Sequence, residues 1–176
     1  MSTTKTINYR AHIYQKSAYD HAIKHPYSGL ILDMGLGKTV ITLTVLKDLL
    51  DSLEILKPLI VAPKLVTEQT WTSERDKWNH TKDLTISRII GTQAQRLKAL
   101  AVKADIYIIS RDNIVWLVDH YGSKFPFDML VLDELSSFKN RESQRFKAVR
   151  KARTKVQRVI GLTGTPAPNG LLDLWA

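Results

Sequence analysis

Short apolar runs recur along the chain, separated by longer segments in which apolar and polar residues mix. Five of the runs are continuous and occupy residues 29–32, 59–62, 106–109, 129–132 and 159–162. Runs of this length without polar alternation are typical of strands covered on both faces, as in parallel sheets flanked by helices. A weaker sixth run, residues 84–90, alternates polar with apolar residues, which predicts a strand nearer the edge of the sheet.

The longer segments between these runs have the spacing of amphipathic helices. We predict helices over residues 38–50, 66–78, 93–103, 113–120 and 141–153. Strand and helix then alternate along the sequence, which indicates a doubly wound α/β fold with a mainly parallel sheet covered by helices on both faces. The 176 residues fit a single domain, residues 1–176, and leave no room for a second one.

The composition places the chain among folded proteins and excludes several kinds of site. Hydrophobic residues make up 44% and charged residues 24% of the chain, far from the signature of disorder. The absence of Cys excludes disulfides and thiolate metal sites. The N-terminus lacks a signal-peptide pattern, and no stretch approaches the roughly 20 apolar residues of a membrane span. We therefore expect a soluble, cytoplasmic protein with no membrane partner.

The net charge of the chain bears on the kind of partner that it binds. A formal net charge of +9 and a pI near 9.8 favour a polyanion such as nucleic acid, because neutralised phosphates release counterions. Many basic proteins carry the same excess as solvated Lys and Arg. Charge alone therefore leaves nucleic-acid binding open.

A glycine-rich motif lies between the first apolar run and the helix that follows it. Its glycines let the backbone approach phosphates, while exposed N–H groups and the helix N-terminus attract an anion. We expect Lys38 to bridge the β- and γ-phosphates of ATP and the Thr39 hydroxyl to coordinate Mg²⁺. The expected nucleotide-binding residues are Met34, Gly35, Leu36, Gly37, Lys38 and Thr39.

The motif departs from the strict phosphate-loop pattern at one position. That pattern has a glycine where this chain has Leu32. The alternative interpretation is a glycine turn that happens to precede Lys-Thr. The strand before the motif and the helix after it favour the phosphate loop.

Two adjacent carboxylates, Asp133 and Glu134, follow the apolar run 129–132. The carboxyl ends of parallel strands are where such folds bind ligands. We expect Asp133 to hold Mg²⁺ and Glu134 to polarise the attacking water as general base. Asp-Glu after a strand is more often a solvated turn, but its combination with the glycine-rich motif favours catalysis.

A third motif follows the last apolar run and contains small hydroxyl and glycine residues. We expect Thr163, Gly164 and Thr165 to sense the nucleotide and report its state to a partner surface. The segment continues as Pro166-Ala167-Pro168-Asn169. A Pro/Gly turn that caps a strand is the alternative interpretation.

In this order and spacing, the three motifs resemble the first RecA-like lobe of superfamily 2 helicases, especially the Swi/Snf-type DNA translocases. Asp-Met-Gly-Leu-Gly-Lys-Thr resembles motif I, Leu-Asp-Glu-Leu-Ser the DExx box, and Leu-Thr-Gly-Thr-Pro-Ala-Pro-Asn motif III. The resemblance covers nearly the whole chain. It implies a P-loop RecA-like three-layer fold that binds ATP and Mg²⁺, and helicases of this superfamily do not keep the leading glycine, so Leu32 fits.

Weaker motifs extend the resemblance to the ends of other strands. Gln15 resembles the glutamine that reads adenine in this family, since an amide can pair with both a donor and an acceptor on the base. Lys64, Ser110 and Arg111 lie in segments that resemble motifs Ia and Ib, which in this family contact the DNA backbone, so the resemblance implies duplex DNA as a partner. A lone Gln is normally a surface residue, and Lys64 and Arg111 are equally compatible with ordinary surface cations.

Two aromatic residues between these motifs have a simpler explanation. Trp71 and Trp78 are seven residues apart, so we expect both to pack into the core from one face of the predicted helix 66–78.

The chain also departs from the family pattern. Ser136 stands where many relatives carry His, and the second RecA-like lobe with its arginine finger is absent, so Ala176 is interpreted as a truncation point. Because that finger stabilises transition-state charge, we expect the chain to bind nucleotide but to hydrolyse it poorly without its second lobe.

Two other classes of function remain as alternatives. The first is a non-catalytic module that binds nucleotide or nucleic acid. The second is a P-loop kinase or GTPase, which is disfavoured because the chain lacks both an Asn-Lys-x-Asp stretch and an arginine-rich lid.

Overall fold

The computed structural model describes residues 6–165, in which helices and strands alternate. Helices α1 to α6 span Ile13–Lys24, Lys38–Asp51, Trp71–Lys77, Gln93–Ala101, Ile114–Tyr121 and Gln144–Arg153. Strands β1 to β6 span Tyr27–Ile31, Pro58–Ala62, Ile86–Ile89, Ile106–Ser110, Met129–Asp133 and Arg158–Thr163. Short helical turns of other types occupy Val66–Thr70, Arg111–Asn113, Gly122–Lys124 and Leu135–Phe138.

The six strands form one sheet in the order β1-β6-β5-β2-β4-β3, and every neighbouring pair is parallel. The predicted α/β fold with a parallel sheet is therefore confirmed. All carboxyl ends of the strands meet at one edge of the sheet. Along that edge the loops after β1, β6 and β5 are neighbours, and the loops after β2 and β4 come next.

Side chains of the central strands alternate between two apolar clusters. In β2, Leu59 and Val61 join the cluster that contains residues of α4, α5 and α6. Ile60 and Ala62 join the cluster that contains residues of α1, α2 and α3. Both faces of the sheet are thus covered by helices, which explains why the central strands read as continuous apolar runs.

The two edge strands differ from each other in a way that the sequence shows only in part. β3 lies at one edge and alternates between buried and more exposed residues, as the run 84–90 predicts. β1 lies at the other edge, where Tyr27 is 42% and Ile31 is 53% exposed. The prediction that the first apolar run is covered on both faces is therefore wrong, because an edge strand is buried on one face only here.

The predicted helix 66–78 is divided in the structure. A π-helical turn, Val66–Thr70, leads into α3, and Trp78 lies past the end of α3 in extended backbone with φ −108° and ψ 133°. Trp71 is fully buried, whereas Trp78 is half-buried. Core packing is confirmed for Trp71, but the shared helix face is wrong, because α3 ends at Lys77.

Two further differences concern the starts of helices. α1 was not predicted from the sequence, because only Gln15 and Ala22 of its residues are buried and no apolar stripe marks it. α6 begins at Gln144 rather than at residue 141, because the Ser143 hydroxyl accepts the N–H of Phe146 at 3.1 Å and caps the helix there. Within residues 6–165, no helix has the length and apolarity needed to cross a bilayer.

Candidate functional site

The glycine-rich loop joins β1 to the N-terminus of α2 through two residues with positive φ. Gly35 has φ 82° and Gly37 has φ 84°, and Gly37 is the N-cap of α2. Residues with a Cβ rarely adopt this left-handed conformation, which explains the two glycines. The turn leaves the first N–H groups of a 14-residue helix at the carboxyl edge of the sheet, where they attract an anion.

The Lys38 ammonium group lies inside this loop. Its Nζ donates to the carbonyl oxygens of Leu32 at 2.6 Å and Asp33 at 3.1 Å. An ammonium at a helix N-terminus adds a full positive charge to the partial charge of the helix. The loop therefore combines backbone donors and a cation, the two groups that bind a phosphate chain.

Gln15 of α1 packs directly against the loop. A Cβ built on Gly37 would come within 2.5 Å of the Gln15 Nε2, so a side chain there would displace this amide. The same Nε2 donates to the Leu36 carbonyl at 3.2 Å, while Oε1 accepts from the His12 N–H at 3.0 Å and the Tyr9 hydroxyl at 3.3 Å. The structure thus brings Gln15 to the loop, and adenine recognition stays a prediction.

Asp133 ends β5, two strands away from the loop. Adjacent strands lie about 4.8 Å apart, so the ends of β1 and β5 are separated by roughly 10 Å across β6. The Asp133 Oδ2 accepts the indole N–H of Trp71 at 3.0 Å. This span suits a triphosphate held at one end by the loop and at the other by a metal on Asp133.

The environment of Asp133 works against its ionisation. Burial raises the pKa of Asp133 above its usual value, and the negative charge of Glu134 adds to that rise. The Trp71 hydrogen bond, the backbone N–H of Glu134 and the Lys38 charge lower the pKa again. The influence of Lys38 means that the phosphate loop and Asp133 share one electrostatic environment.

Glu134 occupies a conformation that is unusual for a residue with a side chain. Its φ is 59° and its ψ is 66°, in the left-handed region. Such a conformation costs on the order of 1–3 kcal/mol and is typical of functional sites. Its carboxylate accepts the Ser136 hydroxyl, so the serine that departs from the family pattern contacts the expected general base.

The third motif lies beside the phosphate loop. The Thr163 carbonyl accepts the Leu32 N–H at 3.1 Å, which continues the pairing of β6 with β1. A Cβ on Gly164 would lie 3.7 Å from the Leu32 oxygen and 4.0 Å from the Met34 nitrogen. Thr165 donates its N–H to the buried Thr163 hydroxyl at 3.2 Å, while residues 166–169 of the motif lie outside the described residues.

Gly161 of β6 also has a role that the sequence did not reveal. A Cβ at Gly161 would come within 2.7 Å of a methyl group of Leu135. Leu135 opens the short turn Leu135–Phe138 that follows Glu134 and is buried. The missing side chain at Gly161 therefore lets the Asp-Glu turn lie close against β6.

The three residues expected to contact DNA lie farther along the same edge. Lys64 follows β2 and is exposed, while Ser110 ends β4 and Arg111 opens the next turn. Ser110 is only 3% exposed, and its hydroxyl accepts the Asn113 amide at 3.0 Å. Lys64 and Ser110 line a cleft of about 690 Å³ together with Glu68, Arg88, Ile90, Gly91, Gln95, Arg96, Asp112 and Asn113.

The structure therefore forms two groups from the residues that the sequence singles out. The first group lies around the ends of β1, β6 and β5. It contains Gln15, the loop residues from Met34 to Thr39, Asp133, Glu134, and Thr163 to Thr165. Lys64, Ser110 and Arg111 lie at the ends of β2 and β4. Sequence reasoning missed the contacts of Trp71 and Ser136 with the two carboxylates, because each joins residues through turns whose geometry no motif encodes.

The phosphate loop, the Asp-Glu pair and the all-parallel sheet define a P-loop domain of the RecA-like class, the fold of helicase ATPase cores. The chain belongs to the SNF2-related domain family, whose model matches residues 5–176.

Relatives in this family are known from several organisms. The chain is 40% identical over 169 residues to a putative protein p41 of Acyrthosiphon pisum secondary endosymbiont phage 1, covering 92% of this chain and 37% of that protein. It is 30% identical to the transcription regulatory protein SNF2 of Saccharomyces cerevisiae, covering 85% of this chain and 9% of that protein. The chain thus spans well under half the length of these relatives.

Solved structures show the same architecture. The ATPase core of a Sulfolobus solfataricus SWI2/SNF2 protein in complex with dsDNA matches with a TM-score of 0.75 and 26% identity. That match covers 99% of this chain and 36% of the Sulfolobus chain. The Pyrococcus furiosus Hef helicase domain matches with a TM-score of 0.73 at 22% identity, covering 93% and 36% of the two chains, which supports the fold alone. The chain is therefore a helicase-like domain of an ATPase family.

Proposed function

We propose that residues 1–176 form the ATP·Mg²⁺-binding lobe of a DNA-dependent ATPase that translocates along duplex DNA. The convergence of three motifs at the adjacent ends of β1, β6 and β5 is the observation that carries this proposal. Membership of the SNF2-related domain family supports it.

The phosphate loop binds the nucleotide in this proposal. The N–H groups at the start of α2 and the Lys38 ammonium surround the β- and γ-phosphates. Lys38 exchanges the carbonyls of Leu32 and Asp33 for phosphate oxygens, which are stronger acceptors because they are charged. Gln15 retains one amide hydrogen beyond its bond to Leu36 and directs it at an acceptor on the base.

The oxygen donors of the site suit Mg²⁺. Thr39, the second residue of α2, carries a hydroxyl, and Asp133 offers a carboxylate at the end of β5. Mg²⁺ prefers such hard oxygen ligands and usually combines one or two protein groups with phosphates and water. When bound, the ion neutralises charge that develops on the phosphates.

Glu134 acts as general base on the attacking water in the same proposal. The hydroxyl of Ser136 holds its carboxylate within the site. In this proposal a second RecA-like lobe supplies the arginine finger, and the relatives, of which the chain covers 37% and 9%, are long enough to contain such a lobe. The chain alone then binds ATP well and hydrolyses it slowly, since the finger supplies transition-state stabilisation.

DNA lies along the ends of β2 and β4 in this proposal, where Lys64 and Arg111 contact backbone phosphates. Ser110 contributes through its backbone, because its hydroxyl is buried against Asn113. The double-stranded DNA in the matching Sulfolobus structure supports a duplex as the partner.

The Lys38→Ala variant tests the nucleotide site directly. Removing a charge-assisted contact worth about 1.5–3 kcal/mol should weaken ATP·Mg²⁺ binding roughly tenfold to a hundredfold. Lys47→Ala is the matched control, because Lys47 lies on the same helix but pairs with Asp51. Isothermal titration calorimetry measures the ATP·Mg²⁺ affinity of both variants. Equal affinities for the native chain and Lys38→Ala would show that the loop does not bind the phosphates.

A further inference from the structure

The positive charge of the chain is concentrated in one stretch. Residues 139–158 contain nine of the 26 Lys and Arg residues of the chain and a single acidic residue, Glu142. This stretch holds α6 and its flanks, and neither the phosphate loop nor the cleft beside Lys64 uses it.

α6 separates its apolar residues from its charged ones. Phe146 and Val149 are buried in the apolar cluster that covers one face of the sheet. Lys147, Arg150 and Lys151 are exposed, and their spacing of three and four residues places them on one side of the helix. We call these three residues the basic α6 face.

Few acidic groups neutralise this face. Lys147 lies 3.5 Å from Glu142, and both side chains are more than half exposed. Arg150 and Lys151 have no carboxylate within 4.0 Å among residues 6–165. Like charges three and four residues apart destabilise a helix, so interactions among these side chains do not explain the arrangement.

The helix dipole explains only part of the charge. Cations are stabilising in the last turn of a helix, which accounts for Arg150 and Lys151. The same dipole opposes cations near the first turn, where Arg145 lies. The dipole therefore accounts for the cations of the last turn of α6 but not for Arg145.

The start of α6 adjoins the proposed DNA interface. The Arg145 guanidinium lies 3.4 Å from the carboxylate of Asp112, in the turn that also contains Arg111. The first turn of α6 therefore lies next to the loop after β4, and the basic α6 face lies farther along the same helix. A duplex that contacts Arg111 has a phosphate at every 3.4 Å of each strand to meet these cations.

We propose that the basic α6 face binds the phosphate backbone of duplex DNA and extends the interface that begins at Lys64 and Arg111. This inference rests on the proposed function, because a translocating ATPase must hold DNA without reading its sequence. Contacts of ammonium and guanidinium groups with phosphates are sequence-independent and suit that purpose.

A salt series of duplex binding by the 176-residue chain tests the inference. In the variant with Lys147→Gln, Arg150→Gln and Lys151→Gln together, the slope of log K against log salt should become shallower by about 0.9 per lost phosphate contact. Affinity at low salt should fall roughly tenfold to a hundredfold. The single variant Arg150→Gln should lower the slope by about 0.9.

A matched control removes the same charge elsewhere. Lys24→Gln, Lys82→Gln and Lys103→Gln together change three exposed lysines away from α6 and should leave the slope nearly as in the native chain. If the α6 variant and this control behave alike, the basic α6 face does not bind DNA.

A third variant separates this inference from the proposed function. Lys64→Gln with Arg111→Gln should also make the slope shallower, because these residues form the primary interface. If the salt slope becomes shallower in that variant but stays unchanged in the α6 variant, the inference is overturned and the proposed function stands. Duplex binding that is undetectable or insensitive to salt in the native chain overturns both, while ATP titration of Lys38→Ala still judges the nucleotide site.

Discussion

Trp71 and Ser136 each donate a hydrogen bond to one of the two carboxylates of the proposed nucleotide site. Trp71 is fully buried and donates its only polar hydrogen to Asp133, a carboxylate that burial makes harder to ionise. Ser136 donates to Glu134 in the turn that follows. Both donors come from segments outside the phosphate loop, so the carboxylates are positioned by groups that have no part in binding phosphate.

Trp71→Phe removes the indole N–H and, because phenyl is smaller than indole, also leaves space in the core. Asp133 then loses a donor in a partly buried site, and the lost hydrogen bond alone should lower the free energy of unfolding by about 1–3 kcal/mol. Trp78→Phe is the control, because its N–H donates to Glu74 at 2.8 Å in a more exposed position and should cost less. Urea unfolding measures the stability of both variants. An equal loss of unfolding free energy in the two would mean that the Trp71–Asp133 bond contributes no more to stability than the Trp78–Glu74 bond.

His80 gives the protein a predicted dependence on pH. Burial lowers its pKa below the ordinary value of 6.5, against a smaller opposing influence of Asp48. Its Nε2 lies 2.8 Å from the Thr44 hydroxyl, whose own hydrogen goes to the Val40 carbonyl, so Nε2 is the donor in this contact. The unfolded chain therefore binds more protons than the native one between the lowered pKa and 6.5.

Stability should consequently be full above pH 6.5 and should decrease as the pH falls from 6.5 toward the lowered pKa. His80→Gln keeps a donor for Thr44 but cannot titrate, so it should lose this part of the pH dependence. His21→Gln, at an exposed position on α1, should retain it. Thermal unfolding between about pH 5 and pH 8 measures the effect, and identical pH profiles for native and His80→Gln would exclude His80 as its source.

At the scale of elements, the contact of β6 with the Asp-Glu turn sets the shape of the site. Gly161 and Gly29 are direct partners in the β1–β6 pairing, yet their surroundings differ. A Cβ at Gly161 would meet Leu135 at 2.7 Å, whereas nothing lies within 4 Å of one at Gly29.

Gly161→Ala should therefore destabilise the fold by about 1–3 kcal/mol, because the Leu135 side chain must move. Gly29→Ala, the matched control, should be neutral or stabilising, since it only reduces the freedom of the unfolded chain. The double variant Gly161→Ala with Leu135→Ala should show a favourable coupling energy in denaturant unfolding. Purely additive effects would contradict a direct contact between the two residues.

The elements that the sequence predicts best are those with two buried faces. β2, β4, β5 and β6 appear as apolar runs because helices cover both sides of each strand. α1 escaped prediction because it contributes only two buried residues. The π-helical turn Val66–Thr70 escaped as well, since it differs from an α-helix by hydrogen-bond register, and apolar spacing over five residues does not report register.

The candidate site also contains features that the sequence predicts and features that it does not. The glycines and Lys38 are recognisable because φ and charge requirements restrict which residues can stand there. The contact of Trp71 with Asp133 joins residues 62 positions apart and depends on how α3 packs over β5. Such contacts arise from tertiary packing, which single-sequence patterns do not encode.

At the scale of the whole molecule, strand order divides the carboxyl edge of the sheet into two regions. The ends of β1, β6 and β5 form the proposed nucleotide site, and the ends of β2 and β4 form the proposed DNA interface. β5 and β2 are neighbours, so the two regions meet where Trp71, which follows the Lys64 loop, bonds to Asp133. This bond adds a side-chain contact between the two proposed binding regions to the pairing of β5 with β2.

Nitrogen–proton correlation spectra of the 176-residue chain during a titration with ATP and Mg²⁺ test the proposed nucleotide site most directly. We expect the largest saturable shifts at the amides of Gly35, Gly37, Lys38 and Thr39, with a smaller change at Gly164, because the phosphates bind at the start of α2. Largest shifts around Lys64 and Arg96 instead, or no saturable shift in the loop, would contradict an ATP site at the ends of β1, β6 and β5.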